Sequence, residues 1–157
     1  DDVLGRFCRV LAEVPDASTV VRMTADCPLA DWTVIDQVID LHLASGADYT
    51  SNVTPERTFP HGLDVEVVRR NVLVRAGAET SDAFEREHVT PFVYRRPAEF
   101  RIENLTRSPS LAHLRWTVDL PEDLDFVRHV YGELYPGNPA FLTEDIVALP
   151  RNSSAAA

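Results

Sequence analysis

The sequence predicts an α/β domain in which helices cover a largely parallel sheet. Segments with helical periodicity alternate with short apolar segments rich in β-branched residues, such as residues 19–25. Strands that are apolar throughout are typical of parallel sheets buried on both faces by helices. One further segment, GLDVEVV at residues 62–68, instead alternates apolar and acidic residues, as a half-buried strand does. This exception indicates a mixed sheet.

The first third of the chain supplies a helix, a strand and a second helix. Apolar residues recur at helical spacing in residues 3–14, and Pro15 stops that helix. Residues 19–25 predict a buried parallel strand. The segment DWTVIDQVIDLHLASG then predicts an amphipathic helix that begins after the N-cap Asp31 and ends before Gly46.

The remaining elements follow the same alternation. A short strand at 48–52 leads into the loop TPERTFPHG, whose prolines and glycine exclude regular structure. Such a long polar loop is a favoured place for a ligand. Helices are predicted at 70–80, 82–94 and 121–135, and strands at 100–104 and 114–118. We expect one domain over residues 1–150 and a disordered tail over residues 151–157, because RNSSAAA has little to bury.

The composition excludes several classes of function. With 25 acidic and 15 basic residues, the net charge of -10 argues against a nucleic-acid-binding surface and favours metal ions and small substrates. The two cysteines, Cys8 and Cys27, lack zinc-ligand spacing. The sequence contains no run of roughly 18 apolar residues, so it predicts no membrane span. We therefore expect a cytoplasmic protein with no membrane partner.

A small motif recurs where two predicted strands end. Thr24-Ala25-Asp26-Cys27-Pro28 and Thr117-Val118-Asp119-Leu120-Pro121 share the pattern Thr-x-Asp-x-Pro. In an open α/β sheet ligands bind beyond the carboxyl ends of the strands, and Mg²⁺ prefers one or two carboxylates with phosphates and waters. Asp26 and Asp119 are thus candidate metal ligands and catalytic residues. The alternative is that each aspartate caps the helix that follows it.

Several segments together resemble the spore coat polysaccharide cytidylyltransferases, which are relatives of the acylneuraminate and 3-deoxy-manno-octulosonate cytidylyltransferases. The segments are DDVLGRF, VVRMTADCPLADWTVIDQVI, DYTSN, RTFPHGLDVEV, EREHVTPFVY and LRWTVDLPEDLDFVR. The resemblance implies a three-layer α/β/α, Rossmann-like nucleotidyltransferase fold with a mixed sheet. It also implies transfer of CMP from CTP to a nonulosonic or related sugar acid, with release of pyrophosphate.

The same resemblance assigns roles to individual residues. It implies that Asp26 and Asp119 bind the divalent cation, Mg²⁺. The family opens with a strand and a phosphate-binding loop that have no match here. Residues 1–150 therefore correspond to about the C-terminal two-thirds of such an enzyme. We expect weak nucleotide binding and little activity from this part alone. Close relatives often pair as dimers, which leaves a homodimer open. A non-catalytic sugar- or nucleotide-binding module of the same fold is the alternative function.

Two further groups are candidate substrate-binding residues. Asn52, Arg57 and His61 belong to the segments DYTSN and RTFPHG, where amide and guanidinium donors suit a sugar carboxylate or phosphate. Arg86, Glu87 and His88 form the second group. They place a cation, a carboxylate and an imidazole within one helical turn, although a helix terminus without any ligand would look the same. Asp64 and Glu66 either shape a polar pocket or face solvent.

Overall fold

The structure, a computed structural model, describes residues 1–150, so the predicted tail at 151–157 lies outside the described residues. The sheet has four strands in the order β1-β3-β2-β4. The strands are β1 (Thr19–Arg22), β2 (Tyr49–Ser51), β3 (Glu66–Arg69) and β4 (Ile102–Asn104). The helices are α1 (Val3–Glu13), α2 (Trp32–Ser45), α3 (Arg70–Glu79), α4 (Ala83–His88), α5 (Pro91–Tyr94), α6 (Pro121–Leu134) and α7 (Thr143–Ala148).

Helices cover both faces of this sheet, which confirms the three-layer architecture. Val67 packs with Val38 of α2 on one face, while its neighbour Val68 packs with Leu4 of α1 and Leu73 of α3 on the other. This opposition follows from the period of two along a strand. A further cluster joins α6 and α7 to the α2 side of the sheet. Its buried members are Leu29, Val34, Phe59, Leu63, Trp116, Val127, Val130 and Ile146.

The sheet is mixed, as predicted, and three of its four described strands run in the same direction. Strand β3 lies between β1 and β2 and is antiparallel to both, while β2 and β4 are parallel neighbours, so β1, β2 and β4 all run in the same direction. The prediction that residues 19–25 form a buried parallel strand was therefore right about the direction of β1 and wrong about its neighbour and its burial, because β1 pairs with the antiparallel β3 and its Val21 is 41% exposed. Apolar, β-branched composition favours a strand but does not specify which strand lies beside it.

The prediction of a half-buried strand at 62–68 was also wrong. Strand β3 is central, and the residue on its acidic face, Glu66, is only 8% exposed. The alternation of apolar and acidic residues therefore reflects a buried carboxylate, and the acidic face of β3 is not exposed to solvent.

Two other predicted elements differ from those observed. The predicted strand at 114–118 makes a single parallel bridge, between Arg115 and His61, and is otherwise an extended segment. The predicted helix at 82–94 is divided into α4 and α5 at Val89, which has φ 74°. That value lies in the left-handed region, which a helix cannot pass through, and Pro91 then starts α5 at its first position.

Candidate active site

The two Thr-x-Asp-x-Pro segments lie side by side. The backbone N–H of Val118 donates to the carbonyl oxygen of Asp26 over 2.8 Å, so the loop that follows β1 is joined to the segment that precedes α6. The carboxylates of both loops are accessible: Asp26 is exposed, and the Asp119 side chain is 53% exposed. Two acidic side chains from distant parts of the sequence thus share one surface region.

Neither aspartate caps a helix within residues 1–150, which decides against the capping alternative. Helix α2 is capped by Asp31, whose carboxylate accepts from the N–H groups of Thr33 and Val34. At the start of α6, the carboxylate of Asp123 turns back to accept from the N–H groups of Asp119 and Leu120, both over 2.9 Å. The carboxylates of Asp26 and Asp119 are therefore not used to start a helix.

The environment of Asp26 favours its charged form. The Thr24 hydroxyl, two positions earlier in the motif, contributes most to holding the pKa of Asp26 below its usual value of 3.8. Beside it the Cys27 thiol is half-buried, and this burial raises the pKa of Cys27 above 9.0. At neutral pH the loop therefore presents a carboxylate next to a neutral thiol.

Arg115 provides the positive charge next to Asp119. Its guanidinium donates to Asp119 over 2.5 Å and to Asp123 over 3.0 Å. The Arg115 bond is also the main reason that the pKa of Asp123 falls to about 2. Asp119 is thus oriented by a cation on its own segment, and any bound metal ion must share the carboxylate with Arg115.

The oxygen donors of this region fit Mg²⁺, which takes one or two carboxylates and completes its octahedron with waters and substrate phosphates. No cluster of three or more histidine, cysteine or acidic side chains in residues 1–150 forms a complete metal cage. Asp26 and Asp119 are the residues that would hold the ion, and the remaining positions would be left to the substrate.

The loop at residues 53–62 is pinned against the Asp119 segment. The backbone of His61 bonds to Leu114 over 2.9 Å and to Trp116 over 2.6 Å. Gly62 has φ 100°, and a Cβ placed there would lie 2.5 Å from the backbone nitrogen of Thr117. Only glycine tolerates both the positive φ and this close approach. The chain therefore brings His61 to the same region as the aspartates.

The side chains of this loop are largely paired with one another. Arg57 makes a two-pronged ion pair with Asp64, with N–O distances of 2.6 and 2.8 Å. Burial, and then the charges of Arg57 and Arg115, hold the pKa of His61 below 6.5, against the opposing influence of Asp64. His61 is therefore a neutral, exposed imidazole at neutral pH, while Arg57 is engaged by Asp64.

Asn52 lies beneath this loop and not on its surface. The residue is fully buried; its amide NH₂ donates to the Leu63 carbonyl over 2.6 Å and its oxygen accepts from the Val65 N–H over 2.9 Å. Both ends of the side chain are therefore used by the backbone. In this structure Asn52 orders the chain that leads into β3 and has no group left for a substrate.

The predicted group on α4 stands apart from the aspartates. The Arg86 guanidinium donates to the Thr80 carbonyl over 2.8 Å and to Asp2 over 2.9 Å, which ties α4 to its neighbours. Glu87 and His88 are exposed, and the His88 ring lies 4.3 Å from the ring of Phe84. Among residues 1–150 no hydrogen bond or ion pair joins this group to Asp26 or Asp119.

Three residues of the region were not predicted as site residues. Arg115 and Asp123 orient Asp119, and Glu66 bonds to Arg22 at the end of β1. A signal for Asp123 was present, because an acidic residue three positions into a helix commonly caps it. Glu66 had only the signal of an acidic residue within an otherwise apolar strand, which the sequence alone assigns equally well to solvent.

The fold and the paired aspartates define a three-layer α/β protein of the nucleotidyltransferase class. The sequence profile of the family described as "Cytidylyltransferase" matches residues 1–133. The chain belongs to the cytidylyltransferase family.

Two curated relatives and one solved structure are similar to the chain. The spore coat polysaccharide biosynthesis protein SpsF of Bacillus subtilis is 31% identical over 161 aligned residues, which cover 98% of this chain and 63% of that protein. An uncharacterized protein of Methanocaldococcus jannaschii is 31% identical over 124 residues, which cover 78% of this chain and 49% of that protein. The chain thus spans less than two thirds of the length of either relative.

The solved structure supports the fold. A cytidylyltransferase from Leptospira borgpetersenii superposes with a TM-score of 0.85 at 24% sequence identity, covering 93% of this chain and 60% of that one. No helix among residues 1–150 is long and apolar enough to cross a membrane.

Proposed function

We propose that this chain forms the larger part of a Mg²⁺-dependent enzyme that transfers CMP from CTP to a sugar acid for surface polysaccharide biosynthesis. One observation carries the proposal: the hydrogen bond from the Val118 N–H to the Asp26 carbonyl oxygen brings together the segments of two exposed aspartates that cap no helix. Membership of the cytidylyltransferase family supports CTP as the donor. The similarity to a spore coat polysaccharide protein supports the biosynthetic role.

In this proposal a sugar hydroxyl attacks the α-phosphorus of CTP in line. The new oxygen–phosphorus bond forms as the bond between the α-phosphorus and the bridging oxygen breaks, the hydroxyl proton passes to water, and pyrophosphate leaves. Asp26 and Asp119 would hold Mg²⁺, which supplies positive charge that offsets the charge developing on the phosphates. Arg115 orients Asp119 and so prepares the site before the substrate arrives.

The acceptor is proposed to carry a carboxylate, as a nonulosonic or related acid does. His61 is the exposed donor next to the aspartates, and Arg57 becomes a second cation there if the sugar acid displaces Asp64. Location in the cytoplasm and assembly as a homodimer stay predictions from the sequence. A non-catalytic binding module of the same fold is the competing function.

The test is calorimetric titration of CTP with Mg²⁺ into this chain and into a form extended at its N-terminus. We expect micromolar to millimolar binding by the extended form, a range typical of enzyme substrates, and transfer of CMP to a sugar acid by that form. An extended Asp26→Ala, Asp119→Ala double variant should lose transfer. Binding by neither form would favour the non-catalytic module and refute the proposal.

A further inference from the structure

The carboxylate of Glu66 is buried at the centre of a hydrogen-bond network that no step of the proposed reaction uses. One of its oxygens accepts from the Tyr49 and Thr90 hydroxyls, each over 2.6 Å. The other oxygen is paired with the Arg22 guanidinium. Its side chain is 10% exposed, so these protein donors replace nearly all of its contact with water.

The partners of Glu66 come from three different parts of the fold. Tyr49 belongs to β2, and its phenol stays a donor because burial and the adjacent Glu66 charge raise its pKa. Arg22 is the last residue of β1 and lies four positions before Asp26. Thr90 lies in the turn between α4 and α5, two positions after His88. Glu66 therefore connects the Asp26 loop to the end of α4.

This connection matters because the two segments share no direct hydrogen bond or ion pair in the described residues. The α4 segment ends at Val89, whose φ of 74° forces the chain to leave the helix. The Thr90 hydroxyl, in the turn that follows, donates to Glu66 and so fixes that turn. On the other side, the Arg22 pair fixes the end of β1 from which the Asp26 loop departs.

A buried ion pair is a costly way to fill a core, because packed apolar side chains of similar volume are often as stabilising or more so. What the charged network adds is a fixed arrangement of the three segments. We propose that Glu66 is a positioning residue that sets the Asp26 carboxylate and the α4–α5 turn in register for cation and substrate binding. This inference rests on the proposed function.

The two arms of the network can be broken separately. In Glu66→Gln the amide oxygen still accepts from Tyr49 and Thr90, but the amide NH₂ meets the Arg22 guanidinium donor to donor. In Thr90→Val only the arm to the α4–α5 turn is lost. Mutation of a residue that orients a metal ligand commonly weakens metal binding by about 10–100-fold. We therefore expect Glu66→Gln to weaken cation binding about tenfold, and Thr90→Val to change it less than about twofold.

Glu85 offers a matched control for the stability of a buried carboxylate. It is 5% exposed and bonds to one threonine hydroxyl, Thr80 over 2.5 Å, and to one arginine, Arg96 over 2.8 Å. Its chemistry thus resembles that of Glu66, but neither of its partners leads to the Asp26 loop. Glu85→Gln should lower the midpoint of urea unfolding in the same way and leave cation affinity unchanged.

The experiment uses the N-terminally extended form and measures Mn²⁺ affinity by electron paramagnetic resonance, together with the Mg²⁺ dependence of CMP transfer. The expected result is weaker Mn²⁺ binding in Glu66→Gln but not in Glu85→Gln. If Glu66→Gln does not fold, Arg22→Lys, which keeps the charge but loses the planar guanidinium, is expected to show the same weakening.

The outcomes separate this inference from the proposed function. Mn²⁺ binding by the wild type with equal affinity in Glu66→Gln, or in Arg22→Lys if that variant replaces it, overturns the positioning role alone. Equal weakening in Glu85→Gln also overturns it, because any loss of stability would then suffice. A wild type that binds neither Mn²⁺ nor CTP overturns the proposed function and this inference together.

Discussion

Two aspartates five positions apart in one loop have opposite environments. Asp26 is exposed and its carboxylate caps no helix, whereas Asp31 is 4% exposed and accepts bonds from two helices. One oxygen of Asp31 serves Thr33 and Val34 at the start of α2, and the other accepts from the N–H and hydroxyl of Thr143, over 3.0 and 2.6 Å, at the start of α7. A carboxylate buried between two helices holds the fold, whereas one that faces solvent is accessible to a ligand.

Replacing the exposed carboxylate should give the largest effect, and it should fall on activity alone. We expect Asp26→Asn in the extended form to lower the rate of CMP transfer roughly 100-fold or more, as when charge stabilisation is removed at other active sites. The free energy of unfolding should change by no more than about 0.5 kcal/mol, as for other exposed positions. Steady-state kinetics and urea unfolding measure the two quantities.

Asp125→Asn is the control for that variant. Asp125 lies on α6 with a side chain 75% exposed, and its one ion pair within residues 1–150 is with Arg128, so the variant should transfer CMP at the wild-type rate. An Asp26→Asn protein that transferred CMP at the wild-type rate would contradict the assignment of Asp26.

Replacing the buried carboxylate of Asp31 should instead lower the stability of the fold. Asp31→Ala removes the side-chain cap of α2 and two bonds to α7, so we expect a loss of roughly 2–4 kcal/mol in the free energy of unfolding, from about 1 kcal/mol per cap or bond. Asp40→Ala, an exposed change on the same helix, should cost less than about 0.5 kcal/mol. Equal unfolding midpoints for Asp31→Ala and Asp40→Ala would show that the Asp31 bonds contribute nothing.

The same difference should appear in the pH dependence of stability. Burial raises the pKa of Asp31, but hydrogen bonds from Thr143 and Thr33 outweigh it and hold the pKa below 3.8. Because the folded pKa lies below the unfolded one, the contribution of Asp31 is complete above the unfolded value and lost as the pH falls through the folded value. The stability gap between wild type and Asp31→Asn should therefore stay constant above about pH 5 and shrink below about pH 3.8. A gap that widened on acidification would have the wrong sign.

The smallest effect concerns the Arg57–Asp64 pair, which is less exposed than Asp26 and less buried than Asp31. If the pair orders the loop at 53–62, Arg57→Lys and Asp64→Asn should each raise the KM for the sugar about fivefold, since each removes the same two-pronged bond worth about 1 kcal/mol. A much larger effect of Arg57→Lys would instead assign Arg57 to direct contact with the sugar acid.

The sequence predicted the helices better than the sheet, and the reason is physical. Helix α2 carries its own start and stop signals in Asp31 and Gly46, and both act as predicted. Strand direction and neighbours depend on partners elsewhere in the chain, so β1 could not be assigned to an antiparallel pair from residues 19–25. Helix α7 is short, and its first buried bond is to a side chain 112 positions away, which no local pattern reveals.

The site divides in the same way. The repeated motif singled out Asp26 and Asp119 as candidates, because strand ends and carboxylates can be read locally, but the motif alone left helix capping open and their metal-binding role stays a prediction. The full burial of Asn52 and the pairing of Arg57 with Asp64 could not be read, since both depend on how the loop at 53–62 folds back on β3. Arg86 was predicted from a resemblance, and the structure shows only its role in tying α4 to α1.

The bond between Asp31 and Thr143 also bears on where the domain ends. The family profile stops at residue 133, ten positions before Thr143, yet α7 shares a buried carboxylate with the loop that carries Asp26. The amide protons at the start of α2 and of α7 should therefore exchange with solvent as one cooperative group. A protease cut between α6 and α7 would loosen the loop after β1, although that loop lies more than a hundred residues away along the chain.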